Sequence, residues 1–236
     1  MIVYNNFLKE IKKNFKVSSF GKPLKKSIIL RHDIDFEISS AVKTAKINYK
    51  NNIKGCFFIY FNSPIYNVFE KKNIQFVENL LNLNQEIGIH VDKESLANLK
   101  NIYKSLKIFF PKILKIVSFH NPGKYYKELN KKLVKHKNFR STYEKPFFYE
   151  GQYFSDSNLR NTLNDILDNL NYNFININEV IQILLHPENL NYENLKSPEQ
   201  IQEKLFFNKV DDNLNEFAKN KYFKKKLKQY KKKIGI

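Results

Sequence analysis

Short apolar runs and amphipathic stretches alternate along most of the chain. Residues 5–16 carry a helical spacing. Ser27–Leu30 is a continuous apolar run that predicts a buried strand. "FEISSAVKTAKINYKNN" follows, with Ala41, Val42, Ala45 and Tyr49 on one predicted helical stripe. Gly55–Phe61 predicts a second strand, "VFEKKNIQFVENLLNLN" a helix and "EIGIH" a third strand. Leu96, Leu99, Ile102, Tyr103 and Leu106 then share a helical face before the strand "KIVSFH" and the helix "GKYYKELNKKLVKH". Further strands are predicted near Phe139–Thr142, Gly151–Ser155 and Ile183–Leu185. Near-continuous apolar strands alternating with amphipathic helices indicate a parallel α/β sheet covered by helices, open or closed as a barrel. From about residue 198 the chain reads as a Lys-rich helix, with Phe223, Leu227, Tyr230 and Ile234 spaced to dock one face.

Composition narrows the class. The 236 residues include 42% hydrophobic and 15% aromatic side chains, enough for a folded core. No run of about 18 apolar residues predicts a membrane span. The start, "MIVYNNFLKEIKKNF", lacks the apolar core and small-residue cleavage site of a secretory signal, so a cytoplasmic location is expected. Cys56, the single cysteine, reads as a buried thiol. A net charge of +18 raises nucleic acid as a partner. However, Arg occurs only at positions 31, 140 and 160, while Lys, Asn and Ile are abundant throughout, which points to compositional bias. Bidentate phosphate and guanine contacts favour Arg, so no specific nucleic-acid site is expected.

The chemistry concentrates at strand ends. The first strand runs into Arg31-His32-Asp33-Ile34-Asp35, the third into His90-Val91-Asp92 and the fourth into His120-Asn121-Pro122. Later strands end in Ser155-Asp156-Ser157 and His186-Pro187. In parallel α/β folds these carboxyl ends form the active-site face. One histidine after a strand is ordinarily a cap or a core residue. Four of the chain's five, placed with aspartates, suit a divalent metal with acid and base groups beside it.

In order, "LRHDIDF", "CFFIYFNSPIYN", "EIGIHVD", "SFHNPG", "YFSDS" and "ILLHPENL" resemble the polysaccharide deacetylase family, the NodB-homology domain of carbohydrate esterases. The first motif is similar to a branch with an Arg-His-Asp-Val-Asp pattern, associated with surface-polysaccharide genes. The resemblance covers roughly residues 26–190. It implies a distorted seven-stranded (β/α) barrel; outside it, residues 1–25 read as a helical lead-in and residues 191–236 as a Lys-rich helical extension. It also implies a divalent metal, zinc foremost, and removal of N- or O-acetyl groups from sugars.

Position by position, the resemblance implies a catalytic base at Asp33 and a metal-binding carboxylate at Asp35. His90 takes the first histidine position of the second motif, but Glu94 stands where the second belongs. Asp92, Glu94 and His120 are therefore the candidates for the third ligand, with His120 preferred. His186 is implied as the general acid and Asp156 as the residue orienting it. Arg31 and His32 are expected to hold the carboxylates. Such ligands also suit Co²⁺, Fe²⁺, Mn²⁺ or Ni²⁺. The expected substrate is a sugar or glycan precursor, nucleotide- or lipid-linked. Another amide or imide hydrolase and a non-catalytic glycan-binding relative are the competing readings, because a fold does not fix a substrate.

Overall fold

Eight strands, all paired in parallel, form one sheet in a computed structural model describing residues 1–136, 138–149, 152–159, 161–173, 179–192, 195, 197–219, 224, 226 and 229. They are β1 (Lys16–Ser18), β2 (Ser27–Ile34), β3 (Cys56–Tyr60), β4 (Glu86–Val91), β5 (Ile116–Phe119), β6 (Arg140–Ser141), β7 (Tyr153–Ser155) and β8 (Val180–Leu185). Seven follow the order β6-β5-β4-β3-β2-β8-β7 and curl into a half-barrel consistent with a distorted (β/α) barrel. The short β1 pairs with the first half of β2, and β3 pairs with the second half.

The helices are α1 (Ile2–Asn14), α2 (Ile38–Lys50), α3 (Lys71–Asn82), α4 (Leu99–Phe109), α5 (Tyr126–Leu133), α6 (Leu163–Asn173) and α7 (Pro187–Asn191), within a compact unit spanning Met1–Asn194. A second unit, Leu195–Ile236, contains α8 (Pro198–Ala218). The predicted stripe Phe223, Leu227, Tyr230 and Ile234 lies outside the described residues. Among the described residues no helix is long and apolar enough to cross a membrane.

Strand parity divides the molecule into an inside and an outside. On β2, Ile28 and Leu30 pack outward with Tyr4, Leu8 and Ile11 of α1. Ile29 points inward to a plug formed with Phe20, Cys56, Phe58, Ile116, Phe147 and Val180. Gly88 of β4 belongs to this interior. A Cβ there would stand 2.4 Å from Cε1 of Phe58, so the ring occupies the space a side chain would need. Outside, α2, α3 and α4 cover Phe57, Ile59, Ile87 and Ile89. The plug fills the amino-terminal end of the interior and leaves its carboxyl end to polar groups.

Two expectations are corrected. β2 does not stop at Leu30 but continues through Ile34, so Arg31, His32 and Asp33 lie within the strand. On α2, Tyr49 is 54% exposed and Asn48 is buried instead. Asn48 accepts a hydrogen bond from Tyr4 Oη at 2.6 Å and donates to Gln85 at 3.2 Å. A satisfied polar network thus takes the place the apolar stripe would have given to an aromatic ring.

Candidate metal and catalytic site

Polar residues that point inward include Arg31 and Asp33 on β2, His90 on β4, Ser118 on β5 and Gln182 on β8. Asp35, His120 and His186 lie just beyond β2, β5 and β8. Arg31 is fully buried and holds Asp33 with two parallel bonds, Nε to Oδ1 at 2.9 Å and Nη2 to Oδ2 at 2.6 Å. Its Nη1 donates to Gln182 at 3.2 Å, and its plane lies 4.8 Å from the Tyr143 ring centroid. Burial works against an ionised Asp33, but the Arg31 charge outweighs it and holds the carboxyl below its usual range.

Ser118 fixes the tautomer of His90. Arg31 Nη2 can only donate to Ser118 Oγ, at 2.6 Å, and the Asp33 carboxylate can only accept from it, at 2.8 Å. The hydroxyl's one proton is therefore used, so His90 Nδ1, 2.9 Å away, must donate to Oγ. In the neutral ring this leaves the His90 Nε2 lone pair facing the cavity. That lone pair lies 3.2 Å from Asp35 Oδ1 and 3.1 Å from His120 Nδ1, and the last two atoms are 3.3 Å apart.

Asp35 Oδ1 and His90 Nε2 are two acceptors 3.2 Å apart, and they repel unless a proton on His120 Nδ1 or a cation joins them. Ligand atoms around a tetrahedral ion with bonds of about 2.0–2.1 Å stand about 3.3 Å apart, so these residues fit a divalent ion. Asp35 Oδ1 is buried and makes no ordinary hydrogen bond. Burial opposes it, yet the two imidazoles pull the Asp35 pKa well down, while Asp35 raises that of His120.

His186 completes the group. Its Nδ1 donates to Asp156 Oδ1 at 2.6 Å, and its backbone amide donates to the same carboxylate at 3.0–3.1 Å. Nε2 points toward Asp35 Oδ2, 3.8 Å away. Burial disfavours the imidazolium, but Asp156, with Asp35 and Asp33, overcomes this and lifts the pKa to about 10. Arg31, Asp33, Asp35, His90, His120 and His186 border a cavity of about 460 Å³ whose other wall is aromatic, with Phe119, Tyr126, Tyr143, Phe148 and Tyr153. That volume is in the range of small-ligand sites.

The predicted residues thus divide. Asp33, Asp35, His90, His120, Asp156, His186 and Arg31 converge. His32 does not: parity turns it outward, where it stacks on Phe57 at 4.5 Å and meets Asn48 at 3.3 Å. Burial depresses its pKa to about 3, so it is neutral and compensates no carboxylate. Asp92 accepts from Ser95 N and from Tyr60 Oη, at 2.6 and 2.9 Å, and is not part of the Asp35–His90–His120 cluster. The Tyr60 ring lies 4.8 Å from that of His120, so Tyr60 stands between Asp92 and the site. Glu94 is exposed and outside the cluster. Ser118, Gln182, Tyr60 and Tyr143 were not predicted. The first two are polar residues at inward positions of apolar strands, a parity signal the sequence does contain.

No family model matches the chain, and no curated protein matches it. Among solved structures, the chitin deacetylase from the fungal pathogen Colletotrichum lindemuthianum is similar at 12% identity and a TM-score of 0.50, over 77% of this chain and 81% of that one. A CE4 family pseudoenzyme from Bacillus anthracis matches at 14% identity and a TM-score of 0.48, over 80% of this chain and 62% of that one. A family 4 carbohydrate esterase from Bacillus anthracis matches at 15% identity and 0.43, over 84% and 86%. The chain spans 62–65% of the length of the pseudoenzyme chains. With its half-barrel and the likeness to the chitin deacetylase, the chain has the polysaccharide deacetylase, or NodB-like, fold.

Proposed function

We propose that the chain is a metal-dependent deacetylase that hydrolyses an N- or O-acetyl group on a sugar, within a glycan or glycan precursor. The observation that carries this reading is the triangle of Asp35 Oδ1, His90 Nε2 and His120 Nδ1, with Asp33 and His186 on the same cavity and Asp156 bonded to His186. A divalent ion there, zinc foremost, would activate water and polarise the acetyl carbonyl.

The chain's own residues supply the proton transfers. Asp33 is ionised and retains lone-pair capacity on Oδ1, which has a single bond to Arg31, so it can take a proton from water. It is a weak base, which suits it to water already acidified. His186, protonated up to about pH 10, can give a proton to the departing nitrogen or oxygen. Asp156 keeps Nδ1 protonated and Nε2 aimed at the cavity. The aromatic wall offers flat apolar surface to a pyranose face, consistent with a sugar substrate.

Acetate release from N- and O-acetylated sugars, free, nucleotide-linked and oligomeric, tests the reading. His186→Gln should keep the fold and the metal and lose about 10²–10⁴ in rate. Asp33→Asn should lose at least as much, with folding checked separately because Arg31 then lacks its partner. Acetate release from none of these substrates with metal supplied, together with glycan binding unaffected by both substitutions, would replace the deacetylase by a binding module.

A further inference from the structure

We propose that Glu188 is a positioning residue that fixes the backbone presenting Asp35 and couples it to the helix that begins at His186. The inference rests on the metal reading above. Glu188 lies in the first turn of α7, whose N-cap is His186, and is 1% exposed. Its Oε1 accepts two consecutive backbone amides, Phe36 N at 2.9 Å and Glu37 N at 3.0 Å. These are the two residues after Asp35, in the link from β2 to α2. On its other side Asp35 is held through its carbonyl, which accepts from Ser63 Oγ at 3.3 Å.

The remaining contacts strengthen the same joint. Asn191 Nδ2 donates to Ser40 O at 3.0 Å, and Tyr192 Oη donates to Glu37 Oε1 at 3.2 Å. α7 is thus stitched to the start of α2, and the stitch fixes where Asp35 stands relative to His186. Glu188 Oε2 is buried and has no hydrogen-bond partner among the described residues. A buried carboxyl with one oxygen unpaired is costly, and an apolar side chain would fill the space more cheaply. Only a carboxyl or an amide of this length, however, can satisfy both amides at once. Its contribution is the pair of N–H bonds, and length rather than charge is the property required.

The test compares three variants of the full chain by Zn²⁺ titration against a chromophoric chelator, with Co²⁺ absorption as a second reading of the coordination. Glu188→Gln keeps length and acceptor and should bind close to the parent. Glu188→Asp keeps charge but is one methylene short, and Glu188→Ala removes the acceptor. Both should bind about 10–100-fold more weakly, as for other groups that orient ligands, with faster amide exchange at Phe36 and Glu37. If Glu188→Ala does not fold, the order of Gln and Asp decides. Aspartate binding as the parent does while glutamine fails would overturn the proposal, as would equal metal affinity in Glu188→Ala. A parent that takes up no divalent ion overturns the metal reading itself, and this inference with it.

Discussion

Replacing Asp156 by asparagine removes a charge from the site while preserving its shape. In the parent, Asp156 lies 2.6 Å from His186 Nδ1 and also accepts its backbone amide. Two unit charges with centres about 4 Å apart interact by about 4 kcal/mol at an effective dielectric constant of about 20. That corresponds to about 3 pKa units, which with the smaller contributions of Asp35 and Asp33 works against burial to give the rise of His186 from 6.5 to about 10. In Asp156→Asn the His186 pKa should therefore fall back toward its ordinary value. The amide oxygen can still accept the backbone N–H, so the fold should persist. The sign of the stability effect follows. The folded-state pKa is raised, so the stabilisation is complete below about 6.5 and disappears as pH rises through about 10. The parent should lose this contribution between those values, and the variant should show little of it. Histidine ¹³C resonances of metal-free protein give the pKa directly, with the His186 signal identified by its absence in His186→Gln. Denaturation at pH 6 and pH 9 gives the stability difference. A His186 that titrates near 6.5 in the parent, or at the same pH in both proteins, would refute the electrostatic account of the pair.

Ser118→Ala removes the acceptor that holds His90 Nδ1–H and the donor to Asp33, so metal affinity should fall about 10–100-fold in the same titration; an unchanged affinity would show that Ser118 does not set the His90 tautomer. Arg31→Met leaves the buried Asp33 carboxylate unpaired and should cost about 3–5 kcal/mol in urea denaturation, with a loss below 1 kcal/mol counting against the ion pair as the organiser of the interior. Gly88→Ala forces Phe58 out of its position and should cost about 1–3 kcal/mol; a neutral result would mean that the plug is loosely packed.

The parallel α/β order was legible because β3, β5 and β8 are buried on both faces and so read as near-continuous apolar runs, broken only at Ser118 and Gln182. His90, His120 and His186 stood out because an imidazole after such a run contrasts with everything before it. β2 was harder. Its apolar run stops at Leu30, but an inward Arg31–Asp33 pair satisfies its own charge, so the strand continues for four more residues. Reading "RHDID" as one polar cluster missed the alternation that sends His32 to the opposite face. β1 is three residues long with no apolar run, and only pairing with β2 makes it a strand. The partners of Ser118, Gln182 and Glu188 were invisible for another reason. They lie 28 to 152 positions away, at Asp33, Arg31, His90, Phe36 and Glu37, and only the curled sheet brings them together.

The central claim is that Asp35, His90 and His120 hold one divalent ion. Anomalous diffraction at the zinc edge, on crystals of the parent grown with Zn²⁺, tests it most directly. The account predicts a single strong peak within about 2.0–2.2 Å of Asp35 Oδ1, His90 Nε2 and His120 Nδ1, lost in His90→Ala. A cavity without a peak, or an ion bound with full occupancy at other residues while these three remain unligated, would contradict it.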